Sequence, residues 1–135
     1  MSEQSGYTFQ NIVLLKSNFF REAQIDLENL STPSLDISNN YHEEGEHVYC
    51  TIDLTFKVKS GDKEVFFMEC QFVGVFQKFG NPKLEVETFG SVNAPSIIFP
   101  FIREHIASIS TKAGLNPILL NPVNFAALAE KNKQR

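Results

Sequence analysis

Apolar and polar residues alternate with a period of two through the middle of the chain. In Val48–Lys59 every even-numbered position is apolar and the odd-numbered positions are mostly polar. This alternation is typical of an antiparallel strand with one buried face. After the turn Ser60–Lys63, the segment Glu64–Phe76 continues the strand-like pattern. The two segments therefore predict a β-hairpin.

The second strand of this hairpin sorts its side chains onto two faces. One face contains Phe66, Met68, Cys70, Phe72 and Phe76. The other face mixes apolar and polar residues, namely Val65, Phe67, Glu69, Gln71, Val73 and Val75. Since both faces are partly apolar, we expect the strand to be covered on both sides or to expose apolar area.

Three more strands and two helices are predicted around the hairpin. The extended segments are Phe9–Glu22, Leu35–Ser38 and Leu84–Phe89. A loop over Leu115–Pro122 leads to a short last helix, Val123–Lys131. Strands first and helices afterwards predict an α+β fold, and 135 residues fit a single domain, residues 1–135.

The long helix before that loop has recognisable ends. Asn93 can cap its start, Pro95 suits its first turn, and Gly114 is a candidate C-cap beyond Lys112. Between these ends, apolar residues and one histidine recur at helical spacing: Ile97, Ile98, Phe101, Ile102, His105, Ile106 and Ile109. This stripe is expected to pack on the core.

Charge and cysteine usage exclude several classes of function. Sixteen acidic residues against twelve basic ones give a net charge of −4, the wrong sign for a nucleic-acid partner. No basic region followed by an apolar stretch opens the chain, so no signal peptide is predicted. The longest uncharged run, Ala113–Ala129, contains Pro117, Pro122 and three asparagines, so membrane insertion is not predicted either. Cys50 and Cys70 lack metal-binding or redox spacing. We expect a cytoplasmic protein with reduced thiols.

Candidate chemistry is sparse. His42 and His47 stand among three glutamates in one short segment, which could hold a divalent metal; a solvated polar turn around Gly45 is the competing interpretation. His105 on the apolar stripe is interpreted as a buried or interface histidine rather than a catalytic base. No nucleophile, phosphate-loop or metalloprotease motif is present. The prediction is no enzyme, no cofactor and no metal.

The aromatic residues give the chain its distinctive feature. It has thirteen phenylalanines and no tryptophan, and eight of the thirteen fall between positions 66 and 101. They could simply form the core. A large exposed apolar patch would instead indicate a partner site, and both oligomerisation and binding of a client protein fit that interpretation.

Two segments of the chain resemble the SecB family of export chaperones. One is APSIIFPFIREHI at Ala94–Ile106, and the other is LNPVNFAAL at Leu120–Leu128. The resemblance extends from Phe9 to about Leu128 and is weakest in the crossover loop, Ala23–Pro33. It implies a four-stranded antiparallel sheet with a long helix and a short C-terminal helix, assembled as a homotetrameric dimer of dimers. It also implies ATP-independent binding of unfolded polypeptides in apolar grooves, which keeps precursors competent for Sec-dependent export.

The same resemblance implies roles for individual residues. The client-binding positions are Phe66, Phe76, Phe99, Phe125 and Leu128. The positions at or near the oligomer interface are Met68, Cys70, Phe72, Ile102 and His105. Phe67 and Glu69 match the outward face that meets the SecA motor.

Several residues depart from the family pattern. The family's acidic positions on the first strand correspond to Ser17 and Arg21, and Lys57 and Lys59 add positive charge to the hairpin. The short tail Lys131–Arg135 is basic where export chaperones of this family end in an acidic tail. Two alternatives to export stay open: a specialised chaperone of one client, such as the antitoxin of a toxin–antitoxin system, and a small-ligand or peptide-binding α+β protein.

Overall fold

The structure is a computed structural model that describes residues 5–133, and it contains a four-stranded antiparallel sheet with helices on one face. The strands are β1 (Gly6–Arg21), β2 (Ser34–Glu44), β3 (His47–Ser60) and β4 (Lys63–Phe79). Their order across the sheet is β1-β4-β3-β2. The helices are α1 (Val86–Thr88), a π-helical turn (Phe89–Asn93), α2 (Ala94–Lys112) and α3 (Phe125–Lys133). The predicted α+β class is confirmed; the last two residues of the predicted basic tail lie outside the described residues.

The central hairpin confirms the predicted parity. All six even-numbered residues from Val48 to Val58 are buried, and so are Phe66, Met68, Cys70, Phe72 and Phe76 on β4. These side chains form one apolar core between the sheet and α2. An apolar face of this size is stable only when another element covers it, and α2 is that element.

Val65 is an exception to the parity. The alternation predicts that it faces outward, but it is buried. The register shifts at this end of the hairpin, because Val58 pairs with Phe66 whereas the next residue pairs with Glu64. Val65 is therefore the extra residue of a β-bulge, and a bulge turns a side chain away from the face that strict alternation predicts.

The predicted strand Leu84–Phe89 is wrong. This stretch contains α1 and the start of the π-helical turn. Tyr7 explains the difference: its ring stacks on that of Phe89 at 3.8 Å, and its hydroxyl donates to the carbonyl oxygen of Leu84 at 2.7 Å. The segment pairs with neither edge strand of the sheet, β1 or β2.

Three helix and strand boundaries also differ from prediction. Asn93 does not cap α2; its backbone is helical and its side chain makes no capping bond, since the helix continues backward through the π-helical turn. Strand β2 extends past Ser38 because every residue as far as Glu44 pairs with β3. Helix α3 starts at Phe125, two residues late, because the side chain of Asn124 accepts a hydrogen bond from the backbone N–H of Ala127.

The buried face of α2 differs from the predicted stripe. Ile98, Ile102 and Ile106 are fully buried, at intervals of four residues. In contrast, Ile97 and Phe101 are 42% and 41% exposed. Pro95, Phe99 and Ser110, which the predicted stripe does not include, are buried as well, so the buried face of α2 is turned toward them and away from Ile97 and Phe101.

Candidate functional site

A cavity of about 530 Å³ lies at one end of the molecule, between the sheet and two connecting segments. Its floor consists of the ends of β3 and β4. One wall is the crossover segment, residues 22–33 between β1 and β2, and the other is the loop that follows α2. The lining residues are Ile25, Leu27, Leu30, Ser31, Pro33, Phe56, Val58, Val65, Phe66, Gly114, Leu115, Asn116 and Ile118.

The lining of the cavity is almost entirely apolar, and this determines which ligands the cavity accepts. Within residues 5–133 the only polar side chains in it are those of Ser31 and Asn116, and none is charged. Binding sites of this kind typically measure about 300–1,000 Å³ and are lined mainly by hydrophobic side chains. The cavity therefore suits apolar side chains or ligands, and it excludes charged groups because no lining residue would pair with them.

The floor of the cavity is aromatic and firmly packed. Phe66 is only 2% exposed, and its ring makes edge contacts with Phe56 at 5.7 Å and with Phe19 at 5.3 Å. Val65 reaches this floor through the bulge described above. A floor held by aromatic edge contacts keeps its shape without a ligand.

The loop wall begins where α2 ends. The backbone of Gly114 has φ +78°, a conformation that glycine adopts at little energetic cost. Its N–H donates to Thr111, and the N–H of Leu115 donates to Ser110, which is the Schellman arrangement. The predicted C-cap is confirmed, and it directs Leu115 into the cavity.

The crossover segment is attached to the hairpin at both ends. At its start, the N–H of Glu22 donates to the carbonyl of Val65 at 2.9 Å. At its other end, the N–H of Ser31 donates to the carbonyl of Lys59 at 2.8 Å, and the Lys59 N–H donates back to the Ser31 hydroxyl. Between these points a turn centred on Asp26 leaves Leu27 65% exposed at the cavity mouth.

The structure brings only one of the predicted client-binding residues to this cavity, Phe66. Phe99 and Phe125 pack against each other at 5.8 Å and are at most 4% exposed. Phe76 is fully buried, with Phe89 at 5.0 Å, and Leu128 is half-buried at the edge of the core. The resemblance implied a groove beside the crossover loop, but sequence reasoning did not name the residues of the cavity walls; the signal for them is the apolar residues Ile25, Leu27 and Leu30 within a polar segment.

The predicted interface residues fall into two groups. Met68 and Cys70 on β4 and Ile102 on α2 are 0–1% exposed, in the core between the sheet and the helix. Phe72 and His105 lie nearer the surface, where their rings are in edge contact at 5.5 Å and the imidazole Nε2 is 3.0 Å from the Ser17 hydroxyl. Burial lowers the pKa of His105, so the neutral imidazole is favoured.

Strand β1 carries exposed apolar side chains on both of its faces, and sequence reasoning did not identify them. Phe9, Leu14 and Phe19 lie on the α2 side of the sheet, Val13 and Phe20 lie on the outward face, and Leu15 lies at a register shift. Strand β1 is also an edge of the sheet, so no other strand among residues 5–133 pairs with its outer side. An edge of this length and apolarity is a surface on which another chain can pair.

The outward face of the sheet carries Phe67 and Glu69, as predicted by parity. Glu69 accepts hydrogen bonds from Lys16 at 2.7 Å and from Asn18 at 3.0 Å, and these bonds lower the pKa of its carboxyl group. The ammonium group of Lys57 lies 5.9 Å from the centre of the Phe67 ring.

Ser17 and Arg21 do not belong to this outward face. They pair with Cys70 and Phe66, so their side chains lie on the same side of the sheet as α2. These two departures from the family pattern therefore leave the outward face unchanged, since side chains of directly paired residues share one face. Lys16 and Asn18 occupy the outward positions beside Glu69 instead.

The histidine cluster does not converge on a point. His42 and His47 flank the ring of Tyr49, each about 6.2 Å from it, and His42 lies 3.6 Å from Glu44. In the part of the chain that the structure describes, no three histidine, cysteine or acidic side chains are placed to hold a metal ion. No helix among the described residues is long and apolar enough to cross a membrane.

Comparison with known proteins gives consistent matches. The family described as "Preprotein translocase subunit SecB" matches residues 21–135. A protein-export protein SecB of Methylobacillus flagellatus is 39% identical over 102 residues, which are 75% of this chain and 65% of that protein. A second, from Nitrosospira multiformis, is 38% identical over 109 residues, 77% of this chain and 67% of that protein. The chain thus spans about two thirds of the length of these curated relatives.

A solved structure has the same fold. It is a SecB-like chaperone of Mycobacterium tuberculosis in complex with a peptide from an antitoxin. The two structures superpose with a TM-score of 0.76 over 87% of this chain and 90% of the other, at 14% sequence identity.

Proposed function

The chain belongs to the SecB family, and from this membership we propose that it is an ATP-independent chaperone that holds unfolded polypeptides in the cytoplasm. In this proposal the clients are precursors that must stay unfolded for Sec-dependent export. The chaperone performs no catalytic step and needs no cofactor, because its action is binding alone. Family membership and the names of the curated relatives support the export role.

One observation carries the proposal: the uncharged cavity between the crossover segment, the sheet and the loop after α2. An unfolded chain differs from a folded one in the apolar side chains that it exposes. A cavity without charged groups binds such side chains by burying their surface, at roughly 25 cal/mol per Å², and does not require one sequence.

The exposed wall of the cavity offers a test that spares the core. Replacing both Leu27 and Leu30 by serine removes apolar wall area, and both side chains are exposed enough to change without unfolding. Leu27→Ser/Leu30→Ser should weaken binding of a reduced, carboxymethylated protein about tenfold. The wild-type chain should also suppress aggregation of a chemically unfolded protein without ATP.

Leu119→Ser is the matched control, because Leu119 is 73% exposed and does not line the cavity. It should bind like the wild type. A wild-type chain that stays folded but neither binds the unfolded protein nor prevents aggregation contradicts the chaperone proposal. Binding of a small apolar dye alone would favour the small-ligand alternative.

Of the predicted client-binding residues, only Phe66 lines the cavity, where it forms part of the floor. Contact between a client and Phe76, Phe99, Phe125 or Leu128 would require a rearrangement, because three of these side chains are buried and Leu128 packs against the core. A polar residue in place of Phe66 or Phe125 should therefore unfold the protein. Retained folding with weaker client binding would place that side chain in a groove instead.

The second part of the proposal is self-assembly into a dimer of dimers. The exposed apolar side chains of β1 and the flank of α2 support it. His105 is partly exposed at this surface and Phe72 is buried just beneath it, whereas Met68, Cys70 and Ile102 would contribute by holding α2 against the sheet. Such an assembly removes the exposed edge of β1 from solvent.

The third part concerns the partner that receives the clients. We propose the outward face of the sheet, with Phe67 and Glu69, as the docking surface for SecA. The test is direct binding to purified SecA, with Glu69→Ala expected to weaken it. Absence of any association by the wild-type chain would favour a specialised client such as an antitoxin, and a toxin–antitoxin pair beside the gene would support that alternative.

A further inference from the structure

Arg21, the last residue of β1, binds three backbone carbonyl groups. Its Nε donates to the carbonyl of Glu22 at 2.8 Å, and its Nη2 donates to that of Ala23 at 3.2 Å. Its Nη1 donates to the carbonyl of Ala113, at the C-terminal end of α2. One side chain thus joins the first residues of the crossover segment to the end of the long helix.

The chemistry of these contacts is specific to arginine. The C-terminal end of a helix carries a partial negative charge and leaves its last carbonyls without intrahelical partners. A guanidinium group presents several donors in one rigid plane, whereas a lysine ammonium is a compact point charge. Arg21 can therefore satisfy three carbonyls at once, and among residues 5–133 it forms no ion pair with a carboxylate.

The position of Arg21 relates these contacts to the cavity. Arg21 joins two segments that both continue into the cavity walls. The crossover segment lines the cavity from Ile25, and the segment after α2 lines it from Gly114. A Cβ placed on Gly114 would lie 3.7 Å from the arginine Nη1. The far end of the crossover segment has its own attachment, between Ser31 and Lys59, which does not involve Arg21.

We propose that Arg21 is a positioning residue that sets the separation of the two cavity walls, and so determines how well the cavity is preorganised for a client; this rests on the proposed function. With Arg21 in place, the crossover segment stays close to the end of α2. Without it, the start of the segment is held to β4 only through Glu22, by its amide and by its ion pair with Lys63, and the wall formed by Ile25 and Leu27 loses its fixed distance from Leu115. A client would then have to order the wall as it binds.

The test compares Arg21→Met with Lys112→Met in the full chain. Lys112 is an exposed residue in the last turn of α2, so its replacement removes the same charge from the same helix end without touching the crossover segment. In Arg21→Met, hydrogen exchange of the Glu22 amide should accelerate about tenfold or more, whereas the Ser31 amide should keep its protection. Lys112→Met should leave both amides unchanged.

Client binding is the second measurement. Arg21→Met should bind a reduced, carboxymethylated protein about five- to tenfold more weakly than the wild type, mainly through faster dissociation. Arg21→Lys should behave like Arg21→Met, because it keeps the charge but not the planar group. Full rescue by lysine, or equal effects of Arg21→Met and Lys112→Met, would show that charge alone matters and overturn the proposal.

Two further outcomes separate this proposal from the proposed function. Unchanged exchange of Glu22 in Arg21→Met overturns the positioning role, as does faster exchange with unaltered client affinity. If the wild-type chain binds no unfolded protein, the chaperone proposal fails, and the exchange data still decide whether Arg21 fixes the wall.

Discussion

Gly74 shows how a single residue sets the distance between α2 and the sheet. It lies on the buried face of β4, directly beneath Ile98. A Cβ at this position would lie 2.5 Å from the Ile98 Cγ2 and 3.1 Å from the ring of Phe76. Real side chains do not approach so closely, so glycine is the residue that allows α2 to pack this near.

Gly74→Ala is therefore expected to lower the free energy of unfolding by about 1–3 kcal/mol through overpacking. Urea denaturation followed by circular dichroism measures the change. Adding Ile98→Leu, which removes the branch at Cβ and keeps the volume, should recover part of the loss. Independent, additive effects of the two substitutions would contradict direct contact between them.

The two cysteines show how burial determines the reactivity of a side chain. Burial raises the pKa of Cys50 to about 12 and that of Cys70 to about 11. The thiolate is the reactive form of cysteine, and almost none is present at pH 8 with such values. Neither side chain is therefore a candidate nucleophile or redox switch.

The reaction of the two thiols with Ellman's reagent tests whether they are buried. At pH 8 the native protein should react slowly at both thiols, and the protein in denaturant should react at two. The unfolded thiols ionise near pH 9, below their folded values. The contribution of the two buried thiols to the free energy of unfolding is therefore fully present below pH 9, and it is lost as the pH rises from about 9 toward 11–12. Rapid labelling of the native protein would contradict the burial of these side chains.

At the scale of elements, the pairing of β1 with β4 builds the outward face. The register places Lys16 and Asn18 beside Glu69, and their hydrogen bonds favour the charged carboxylate. One acidic side chain is thereby partly neutralised by its neighbours on the adjacent strand. A partner that docks on this face meets a bonded network rather than a free carboxylate.

The effect of this network on the pKa of Glu69 can be measured by titration. Glu69 should titrate below the usual pH range of a glutamate, because Lys16 and Asn18 stabilise its charged form. Its contribution to stability is present above its ordinary pKa and is lost as the pH falls through the lowered value. NMR titration of the carboxyl carbon measures this pKa. Lys16→Met should raise it more than Lys57→Met does, since Lys57 acts only through longer-range attraction.

Elements differ in how far the sequence predicts them. The β3–β4 hairpin was predictable because each strand buries one face, which leaves a period of two in the sequence. The second half of β2 is an exposed edge, so residues 39–44 carry no such period. The stretch Leu84–Phe89 alternates over a few residues, yet Tyr7, 77 positions from Leu84, holds it as a helical turn. Such a long-range contact overrides a weak local pattern.

At the scale of the whole molecule, the exposed apolar surface is concentrated on β1 and the nearby flank of α2. Leu14 on β1 is 44% exposed and Phe101 on α2 is 41% exposed, and Phe9 contacts Phe101 at 5.8 Å. Two elements that are distant in sequence thus form one continuous surface. We propose that this surface contacts another chain, because large exposed apolar patches mark interaction sites.

The corresponding prediction concerns mass in solution. The wild-type chain of 15.3 kDa should sediment as a tetramer, and Leu14→Lys/Phe101→Lys should shift it to dimers or monomers while its circular dichroism stays native. Leu119→Lys changes a more exposed leucine outside this surface and should leave the mass unaltered. A wild-type monomer, or a double variant of unchanged mass, would contradict assembly through β1 and α2.

The sequence by itself determined the α+β class, the central hairpin, the long helix with its glycine cap and, through two motifs, the family. Each of these features leaves a local signal in the sequence, because burial of one face and the capping of a helix end involve residues that are close together in the chain. Only the tertiary structure decided that the cavity is lined by Ile25, Leu27 and Leu115 rather than by most of the phenylalanines, and that Arg21 joins its walls. Those outcomes depend on a bulge at Val65 and on contacts between segments about ninety residues apart, which leave no period in the sequence.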